Sequence, residues 1–477
     1  MFLGRNQELE ALRNLKRKKT ASLACVMGRR RIGKSALIGE FGRQFTSFIE
    51  IQGLGPNEGA SNKDQLEHFS NKLSLRFNTR KEHFENWTEA FTTLAKLTQK
   101  GDHLILLDEI SWMGKKDPLF TARLKDIWDT QLKKNPQLIL VVCGSVSSWI
   151  EKNILRNANF EGRVSLEINL QELPLHEIHK FWERQGFRLS SREKMLLLSI
   201  TGGVPKYLEE VLASQSISQN IIKLCFRSTG FLFNEYDKIF MEIFDRKGKT
   251  FEKMIKACLE SKLSPTQLAG KLHTKPSSEF SEHIHILELS GFLSRDYYYH
   301  PSGEQSKLGH LRLKDNYLRF YLKYIQPLKD KIKTGAKVIE SLSELKQFDS
   351  IMGLQFENLL LANRQILHRI LAIQNSDIIS SAPHVQKKKV KTKGACQIDL
   401  LIHTSLDVFY LCEFKCKKVI DRSVIKEVKN KMDVLSIPRR ASLKPVLVYE
   451  GELPSAHQNE FENFFHRLIP FQQLIDS

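Results

Sequence analysis

Long apolar runs are missing from this sequence of 477 residues. No run reaches the roughly 18 residues that a membrane-spanning helix needs, so we expect no transmembrane segment. The opening residues lack an apolar core followed by small residues, which argues against a secretory signal peptide. Both absences favour a cytoplasmic protein without a membrane partner.

Cysteine is scarce, with seven residues scattered along the chain. No two of them form the C-x-x-C pair that is typical of structural zinc sites, so such a site is not expected. Most lie in apolar runs, which favours buried thiols in a reducing compartment over a disulfide framework. The seven are Cys25, Cys143, Cys225, Cys258, Cys396, Cys412 and Cys416.

Acidic residues are few relative to basic ones. The chain has 54 Asp and Glu against 73 Lys and Arg, which gives a formal net charge of +19. Such an excess favours a polyanionic partner, either a nucleic acid or an anionic membrane surface. A basic surface that serves only solubility is the alternative, and we favour nucleic acid.

The N-terminal part of the chain alternates short apolar runs with amphipathic stretches. Residues 22–27, 103–107 and 137–143 are apolar runs of strand length, whereas 84–98 and 119–134 have helical periodicity. Buried parallel strands with helices between them build a doubly wound α/β sheet.

The rest of the chain divides into further modules. Residues 170–235 are helical around the break Gly202-Gly203-Val204-Pro205, and 236–315 predict three short helices and a β-hairpin, the order of a winged helix-turn-helix. A last α/β module begins near residue 347. We therefore predict an α/β multidomain protein with domains at 1–235, 236–330 and 347–477.

A phosphate-binding loop follows the first apolar run. Its eight residues fit G-x-x-x-x-G-K-[ST] at every fixed position. The glycines let backbone N–H groups surround phosphate oxygens, and the following helix adds its dipole. Lys34 is predicted to contact the β- and γ-phosphates of ATP, and Ser35 to bind Mg²⁺. The predicted nucleotide-binding residues are Gly28, Arg29, Arg30, Arg31, Ile32, Gly33, Lys34 and Ser35.

Polar residues at later strand ends complete this candidate site. Asp108 is predicted to hold Mg²⁺ and Glu109 to orient the attacking water, which favours hydrolysis over nucleotide storage. A helix cap is the alternative for this acidic pair. Ser145 is a candidate γ-phosphate contact or part of an ordinary turn, and Arg163 is a candidate arginine finger or a surface arginine.

These features together resemble the AAA+-related STAND ATPases, specifically the archaeal-type ATPase family, over about residues 1–235. The resemblance implies that the opening segment helps to hold the adenine, that Arg163 senses the γ-phosphate and that a Gly-Gly-x-Pro turn starts a lid helix. It also implies a switch that assembles into a homo-oligomer through the ATPase domain. The residues that carry it are Phe2-Leu3-Gly4-Arg5-x-x-Glu8, the phosphate-binding loop, Leu107-Asp108-Glu109, Gly144-Ser145, Gly162-Arg163 and Gly202-Gly203-x-Pro205.

A second candidate site lies in the last module. Asp399 stands at the start of one predicted strand, and Glu413 and Lys415 share one face of the next. A hairpin would bring Asp399 beside them, and Glu357 on the preceding helix would add a third carboxylate. Carboxylates grouped in this way bind Mg²⁺ or Mn²⁺, and a lysine orients water or stabilises the phosphate.

This pattern resembles the PD-(D/E)xK nuclease superfamily over about residues 347–450, in the form that is commonly fused to archaeal-type ATPases. The resemblance implies a restriction-endonuclease-like α/β fold and a metal-dependent nuclease in which Asp399, Glu413 and Lys415 are catalytic. Ile398 stands where that superfamily often has proline, a variation that it tolerates. An exposed Glu/Lys strand in a non-catalytic α/β domain is the alternative.

Two charged segments bear on nucleic-acid binding. The predicted recognition helix of the winged helix carries Glu279 and Glu282, which would repel phosphates, so an interaction or autoinhibition module is an alternative to a DNA reader. A lysine-rich segment before Asp399 would neutralise phosphates, unless it is a solvated hairpin. Its members are Lys387, Lys388, Lys389, Lys391 and Lys393.

The sequence therefore predicts an ATP-binding and ATP-hydrolysing switch coupled to a metal-dependent nuclease, with DNA as the favoured nucleic acid. Mg²⁺ is the predicted metal, and Mn²⁺ is an alternative at the nuclease site. A signalling or scaffold switch, whose nuclease-like domain only binds nucleic acid or protein, is the main alternative. A DNA-remodelling motor is less favoured, because no recognisable helicase motifs accompany the phosphate-binding loop.

Overall fold

The computed structural model describes residues 2–55, 59–145, 147–244, 248–299, 304–386 and 394–476. These residues form two compact units. The first unit comprises the chain up to Glu172 together with 239–248 and 289–291, and the second comprises the remainder.

A parallel five-stranded sheet forms the centre of the first unit, in the strand order β2-β3-β4-β1-β5. This is the parallel α/β sheet that the apolar runs predict. Its strands are β1 (Ser22–Met27), β2 (Ser47–Gln52), β3 (His103–Asp108), β4 (Leu138–Gly144) and β5 (Val164–Asn169).

Both faces of this sheet are covered by helices, which explains why its central strands are continuously apolar. Alternate residues of β1 point to opposite faces: Leu23 and Cys25 belong to one apolar core, and Ala24 and Val26 to the other. The helices of this unit are α1 (Asn6–Arg17), α2 (Lys34–Gly42), α3 (Asn62–Phe77), α4 (Trp87–Leu97), α5 (Ile110–Gly114), α6 (Phe120–Thr130) and α7 (Ser147–Ile150).

Helices dominate the start of the second unit. Ser190 caps α9 and Ser264 caps α14, each with a reciprocal capping box, and Pro265 occupies the first turn of α14. The helices are α8 (Leu175–Arg184), α9 (Ser191–Thr201), α10 (Pro205–Glu209), α11 (Ile217–Phe226), α12 (Phe231–Phe244), α13 (Gly248–Ala257), α14 (Pro265–Lys271), α15 (Ser278–Leu289), α16 (Asn316–Phe320) and α17 (Lys329–Lys333).

An antiparallel hairpin of β6 (Leu293–Tyr299) and β7 (Gln305–Leu313) follows α13, α14 and α15. This is the predicted order of three helices and a hairpin. The aromatic segment after the hairpin is buried, with Tyr317 1% exposed and Phe320 fully buried.

A mixed sheet forms the C-terminal part of the second unit, in the order β12-β11-β10-β9-β8. Strands β8, β9 and β10 pair antiparallel, whereas β10, β11 and β12 pair parallel. The strands are β8 (Ile378–Gln386), β9 (Cys396–Thr404), β10 (Val408–Val419), β11 (Ser442–Glu452) and β12 (Arg467–Pro470).

The helical segment that begins at Phe348 is interrupted. Asn363 leaves the helical path and its side-chain amide donates to the carbonyl of Leu359 at 2.8 Å, which ends one helix and lets the next begin. The C-terminal helices are α18 (Phe348–Ala362), α19 (Arg364–Ile370), α20 (Ser423–Val434), α21 (Ser455–Phe464) and α22 (Phe471–Asp476).

The division into units differs from the predicted domains 1–235, 236–330 and 347–477. Helices α8 and α9 pack against elements of the C-terminal region, α8 against α22 and α9 against α18 and β11, which places them in the second unit. The predicted ranges, drawn as functional modules, stay predictions.

The seven cysteines are unpaired, and six are buried, as expected for structural thiols. In the described part of the chain, no helix combines the length and the apolar character that crossing a bilayer requires.

Candidate functional site

The backbone of the glycine loop is shaped for close approach. Gly28 has φ 148° and Gly33 has φ 92°, values that favour glycine. A Cβ on Gly28 would lie 2.7 Å from the carbonyl oxygen of Leu170, so no larger residue fits there. The loop between β1 and α2 therefore follows a backbone path that requires glycine at these two positions, as the sequence motif does.

Lys34 folds back onto this loop. Its Nζ donates to the carbonyl oxygens of Gly28 at 3.0 Å and Arg29 at 3.2 Å, and the residue is 6% exposed. These acceptors are neutral, so an anion that enters the loop competes for the ammonium with a stronger electrostatic attraction.

Ser35 and Asp108 lie together. The Ser35 hydroxyl donates to Asp108 Oδ2 at 2.6 Å, and Asp108 Oδ1 accepts the backbone N–H of Glu109 at 2.9 Å. Burial and then the charge of Asp108 raise the pKa of Glu50. The strand ends therefore form a negative region that suits a divalent cation.

Glu109 is held by Ser145. Its Oε2 accepts the backbone N–H of Ser145 at 2.9 Å and the hydroxyl of the same residue at 2.8 Å. Ser145 is fully buried. In this structure Ser145 thus orients Glu109, and its predicted contact with the γ-phosphate stays a prediction.

Two further contacts support the loop and were not predicted. Arg5, 4% exposed, donates to the carbonyl of Ile32 at 3.2 Å. Arg29 pairs with Glu172 at 3.1 Å. Gly4 has φ 74°, which favours glycine, and Arg5 follows it in the left-handed region with φ 60°. No short-range periodicity in the sequence signals the contact of Arg5 with Ile32.

Arg163 lies at the opposite end of the sheet from the glycine loop. It precedes β5, whose first residue pairs beside Leu23 at the start of β1, so the six-residue strand separates it from the loop by about 20 Å. Its guanidinium pairs with Asp129, at 2.9 Å from Nε and 2.8 Å from Nη2 to Oδ2, and this lowers the pKa of Asp129. Arg163 cannot reach the loop of its own chain in this arrangement.

The second candidate site is a cavity of about 730 Å³ in the second unit, between α18, β9, β10 and α20. It brings together all four residues that the sequence predicts for metal-dependent chemistry, and α20 adds two charged residues that it did not predict. The predicted residues are Glu357, Asp399, Glu413 and Lys415, and the added ones are Glu427 and Lys431.

Asp399 on β9 faces β10. Its Oδ2 accepts the backbone N–H of Phe414 at 2.8 Å. Burial, and then the charges of Glu413 and Glu357, raise the pKa of Asp399 to about 8. The hairpin register therefore produces the predicted juxtaposition of Asp399 with Glu413.

Glu413 is 1% exposed and two lysines bind it. Lys415 lies 2.8 Å from its Oε1, and Lys431 lies 2.8 Å from Oε1 and 2.7 Å from Oε2. Both lysines also contact Glu427, at 2.8 and 3.0 Å. Although burial raises it, the two lysines lower the pKa of Glu427 to about 2.

Glu357 has a different partner, since Lys262 lies 2.5 Å from its Oε1. Among the residues that the structure describes, no three or more His, Cys, Asp or Glu side chains form a group that could hold a metal ion. The four carboxylates thus lie on one cavity, and lysines pair with three of them, Glu357, Glu413 and Glu427.

Of the two charged segments, the acidic helix lies within the described residues and the lysine-rich segment does not. The lysine-rich residues 387–393 lie outside the described residues. Helix α15 exposes Glu279 and Glu282, so its acidic face is real.

Residues 2–211 match the family of ATPase domains found predominantly in Archaea. Over that range the chain resembles an archaeal-type ATPase domain, in agreement with the glycine loop and the acidic strand end. An uncharacterized protein of Methanocaldococcus jannaschii is 25% identical over 362 residues, which span 75% of this chain and 76% of that protein.

Solved structures with a similar fold include a Walker-type ATPase of Pyrococcus abyssi, with a TM-score of 0.47 and 14% identity over 67% of this chain and 96% of that one. The ORC2 protein of Aeropyrum pernix, solved with ADPNP and ADP, gives a TM-score of 0.40 and 12% identity over 70% of this chain and 94% of its own.

Proposed function

We propose that this protein is an ATP-binding and ATP-hydrolysing switch coupled to a metal-dependent nuclease that acts on nucleic acid, with DNA favoured over RNA. The archaeal-type ATPase domain over 2–211 supports the first part. The gathering of Asp399, Glu413 and Lys415 on one cavity carries the second part.

Lys34 changes partners when ATP binds. Its ammonium exchanges two neutral carbonyl oxygens, those of Gly28 and Arg29, for β- and γ-phosphate oxygens. Ser35 and Asp108, already in contact, fit Mg²⁺ in donor type, and the ion would neutralise charge on the transferred phosphoryl group. Glu109 orients the attacking water, and Ser145 fixes the Glu109 carboxylate for that task.

The second cavity supplies a phosphodiester site. Asp399 and Glu413 are the carboxylates that fit Mg²⁺ or Mn²⁺, which in proteins is often held by one or two carboxylates with water and substrate phosphate completing its shell. The ion would polarise the scissile phosphate and activate a water. Lys415 would move from Glu413 to a phosphate oxygen and stabilise the charge that develops there.

Chain connectivity supports coupling between the two activities. Arg29 of the glycine loop pairs with Glu172, and the next residue begins the second unit. Within that unit α9 contacts the strands of the nuclease-like sheet: the Ser191 hydroxyl lies 2.5 Å from Glu450 Oε2, and Met195 Sδ lies 3.9 Å from Cys416 Sγ. Cys416 follows Lys415 directly, so a shift of α9 would reach the catalytic strand.

Assembly and partners follow from charge and position. A net charge of +19 supports a nucleic-acid partner. Because Arg163 lies at the far end of its own sheet, a finger role requires a neighbouring copy of the chain, and we propose a homo-oligomer through the ATPase domain.

The test is a cleavage assay of the full chain on plasmid, linear duplex, single-stranded DNA and RNA, with Mg²⁺ or Mn²⁺ and with EDTA. We expect metal-dependent cleavage in the wild type and none in Glu413→Gln, with ATP hydrolysis unchanged in the variant. Glu452→Gln, the same charge change at an exposed residue of β11, is the matched control and should cleave normally.

The dependence of cleavage on the metal and on Glu413 decides between the possible outcomes. Cleavage that persists in Glu413→Gln would show that another site, or a contaminant, is responsible. Normal ATP hydrolysis without cleavage of any substrate would contradict the nuclease half of the proposal and leave the ATPase half intact.

A second candidate function is a switch whose C-terminal domain binds nucleic acid or protein without cutting. One observation favours it: in the described part of the chain no three-ligand metal group is formed, and lysines bind Glu413 and Glu357. A pure binding module should take up no divalent ion at this cavity, which calorimetry with Mn²⁺ on nucleotide-free protein distinguishes.

A further inference from the structure

Lys431 pairs with the carboxylate of Glu413 in the second cavity. It lies on α20 and its Nζ contacts both oxygens of Glu413, Oε1 at 2.8 Å and Oε2 at 2.7 Å. Its side chain is 17% exposed. A lysine in this position was not predicted, since it lies 18 residues after Glu413 and on a different element.

The two lysines on Glu413 are not equivalent. Lys415 contacts Oε1, whereas Oε2 has Lys431 as its described partner. Release of Lys431 alone would therefore open Oε2 to a cation and leave Lys415 in place on Oε1. The geometry makes Lys431 the side chain that must move before a metal ion can bind this oxygen.

Glu427 is a second acidic partner for Lys431. It lies one turn earlier on α20, 3.0 Å from Nζ, with 44% of its side chain exposed. A lysine that leaves Glu413 keeps this partner within reach without crossing the cavity. The flexible four-carbon stem of lysine permits such a swing at low cost.

A divalent ion and the ammonium compete for the same place. Two cations within about 4 Å of each other in a partly buried cavity repel each other by several kcal/mol, because little water screens them. Removing the ammonium therefore removes both a steric and an electrostatic obstacle to the ion.

We propose that Lys431 is an internal cation that holds Glu413 Oε2 in place of the metal and so sets the metal affinity of the site. This inference rests on the proposed nuclease function, because it concerns the same carboxylates. Lys431 acts as a positioning residue. It keeps the buried carboxylate of Glu413 paired until a divalent ion displaces the ammonium group.

Mn²⁺ binding to the full nucleotide-free chain tests this, by calorimetry and by the loss of the free-ion electron paramagnetic resonance signal. We expect Lys431→Met to bind Mn²⁺ at least about tenfold more tightly than the wild type, since one repelling charge is removed. Lys431→Arg keeps the charge and should match the wild type. Lys429→Met, at an exposed lysine of the same helix, should also leave binding unchanged.

Binding at this cavity that is unchanged or weaker in Lys431→Met, while Glu413→Gln removes one Mn²⁺ equivalent, overturns this inference and leaves the proposed metal site standing. No Mn²⁺ binding in either the wild type or Lys431→Met overturns the metal-dependent function itself. If Lys431→Met fails to fold by circular dichroism, Lys431→Gln, which keeps a donor for Glu413, gives the same comparison.

Discussion

The two candidate sites use lysine in opposite ways. In the first unit, Lys34 contacts neutral carbonyl oxygens of the loop, and the carboxylates of Asp108 and Glu109 contact hydroxyl and backbone donors. In the second unit, Lys415 and Lys431 contact the carboxylate of Glu413 directly. The first site thus keeps its cation available for an anion, whereas the carboxylate of the second site is neutralised by lysines that, under the proposed function, a metal ion would displace.

This difference has a consequence for control. An anion that enters the glycine loop displaces only weak neutral acceptors, so nucleotide binding needs little rearrangement. A metal ion that enters the second cavity must displace an ion pair. Under the proposed function, the second site would therefore be the one that a conformational change can turn on or off.

The largest expected effect concerns ATP hydrolysis at the site in the first unit. Lys34→Ala removes the ammonium that would bind the phosphates, and we expect ATP hydrolysis to fall by more than about a hundredfold. Phosphate release measures this. Lys96→Ala, at an exposed lysine of α4, is the matched control and should hydrolyse ATP normally.

The second prediction concerns cleavage at the site in the second unit. Lys415→Ala leaves Lys431 on Glu413 but removes the cation that would stabilise the phosphate, so cleavage should fall by about a hundredfold or more while ATP hydrolysis is retained. Lys418→Ala, an exposed lysine on the same strand, should keep most of the activity. Equal losses in both variants would indicate a general charge effect instead.

The third prediction sharpens the description of the ATP site. Ser145→Ala deletes one hydrogen bond to the Glu109 carboxylate, worth about 1.5–3 kcal/mol, so hydrolysis should fall about ten- to a hundredfold while nucleotide affinity stays the same. Ser111→Ala is the control, because in the described structure its buried hydroxyl has no partner. If the two variants behave alike, Ser145 does not position Glu109.

The fourth prediction concerns pH at the second site. The pKa of Asp399 is raised to about 8, so below that pH the carboxyl is protonated and must release a proton when a metal ion binds. Mn²⁺ affinity should therefore rise with pH, by up to about tenfold per unit, and level off above about pH 8. Titrations from pH 6 to 9 measure this, and an affinity independent of pH would contradict the assignment of Asp399 as a ligand.

The smallest effect concerns coupling. Glu172→Gln breaks the ion pair with Arg29 beside the start of the second unit, and we expect the response of cleavage to ATP to weaken several-fold while hydrolysis changes by less than about threefold. Glu161→Gln, at an exposed position of the first unit, is the control. An unchanged ATP response in Glu172→Gln would remove this pair from the pathway.

The sequence pattern predicted the structure best where local backbone conformation and burial determine it. The glycine loop and the apolar strands of the first sheet are confirmed, because φ angles and two-sided burial leave few alternatives for those residues. The pairing of Asp399 with Glu413 also follows from two adjacent strands and their alternation.

What sequence could not supply is contact between distant elements. Lys431 reaches Glu413 from α20, and Arg5 reaches the glycine loop from the opening segment, through packing that no short-range periodicity encodes. Strand β8 has a mixed pattern of buried and half-exposed residues, including a proline, which hides it from a search for apolar runs.

The most direct test of the central claim is the rate of metal-dependent cleavage by the full chain with and without ATP, in the wild type and in Lys34→Ala. We predict that ATP changes the wild-type rate several-fold, that a non-hydrolysable analogue shows which nucleotide state is responsible, and that Lys34→Ala does not respond. A wild-type cleavage rate that is the same in all nucleotide states would contradict the account, because the two sites would then work independently.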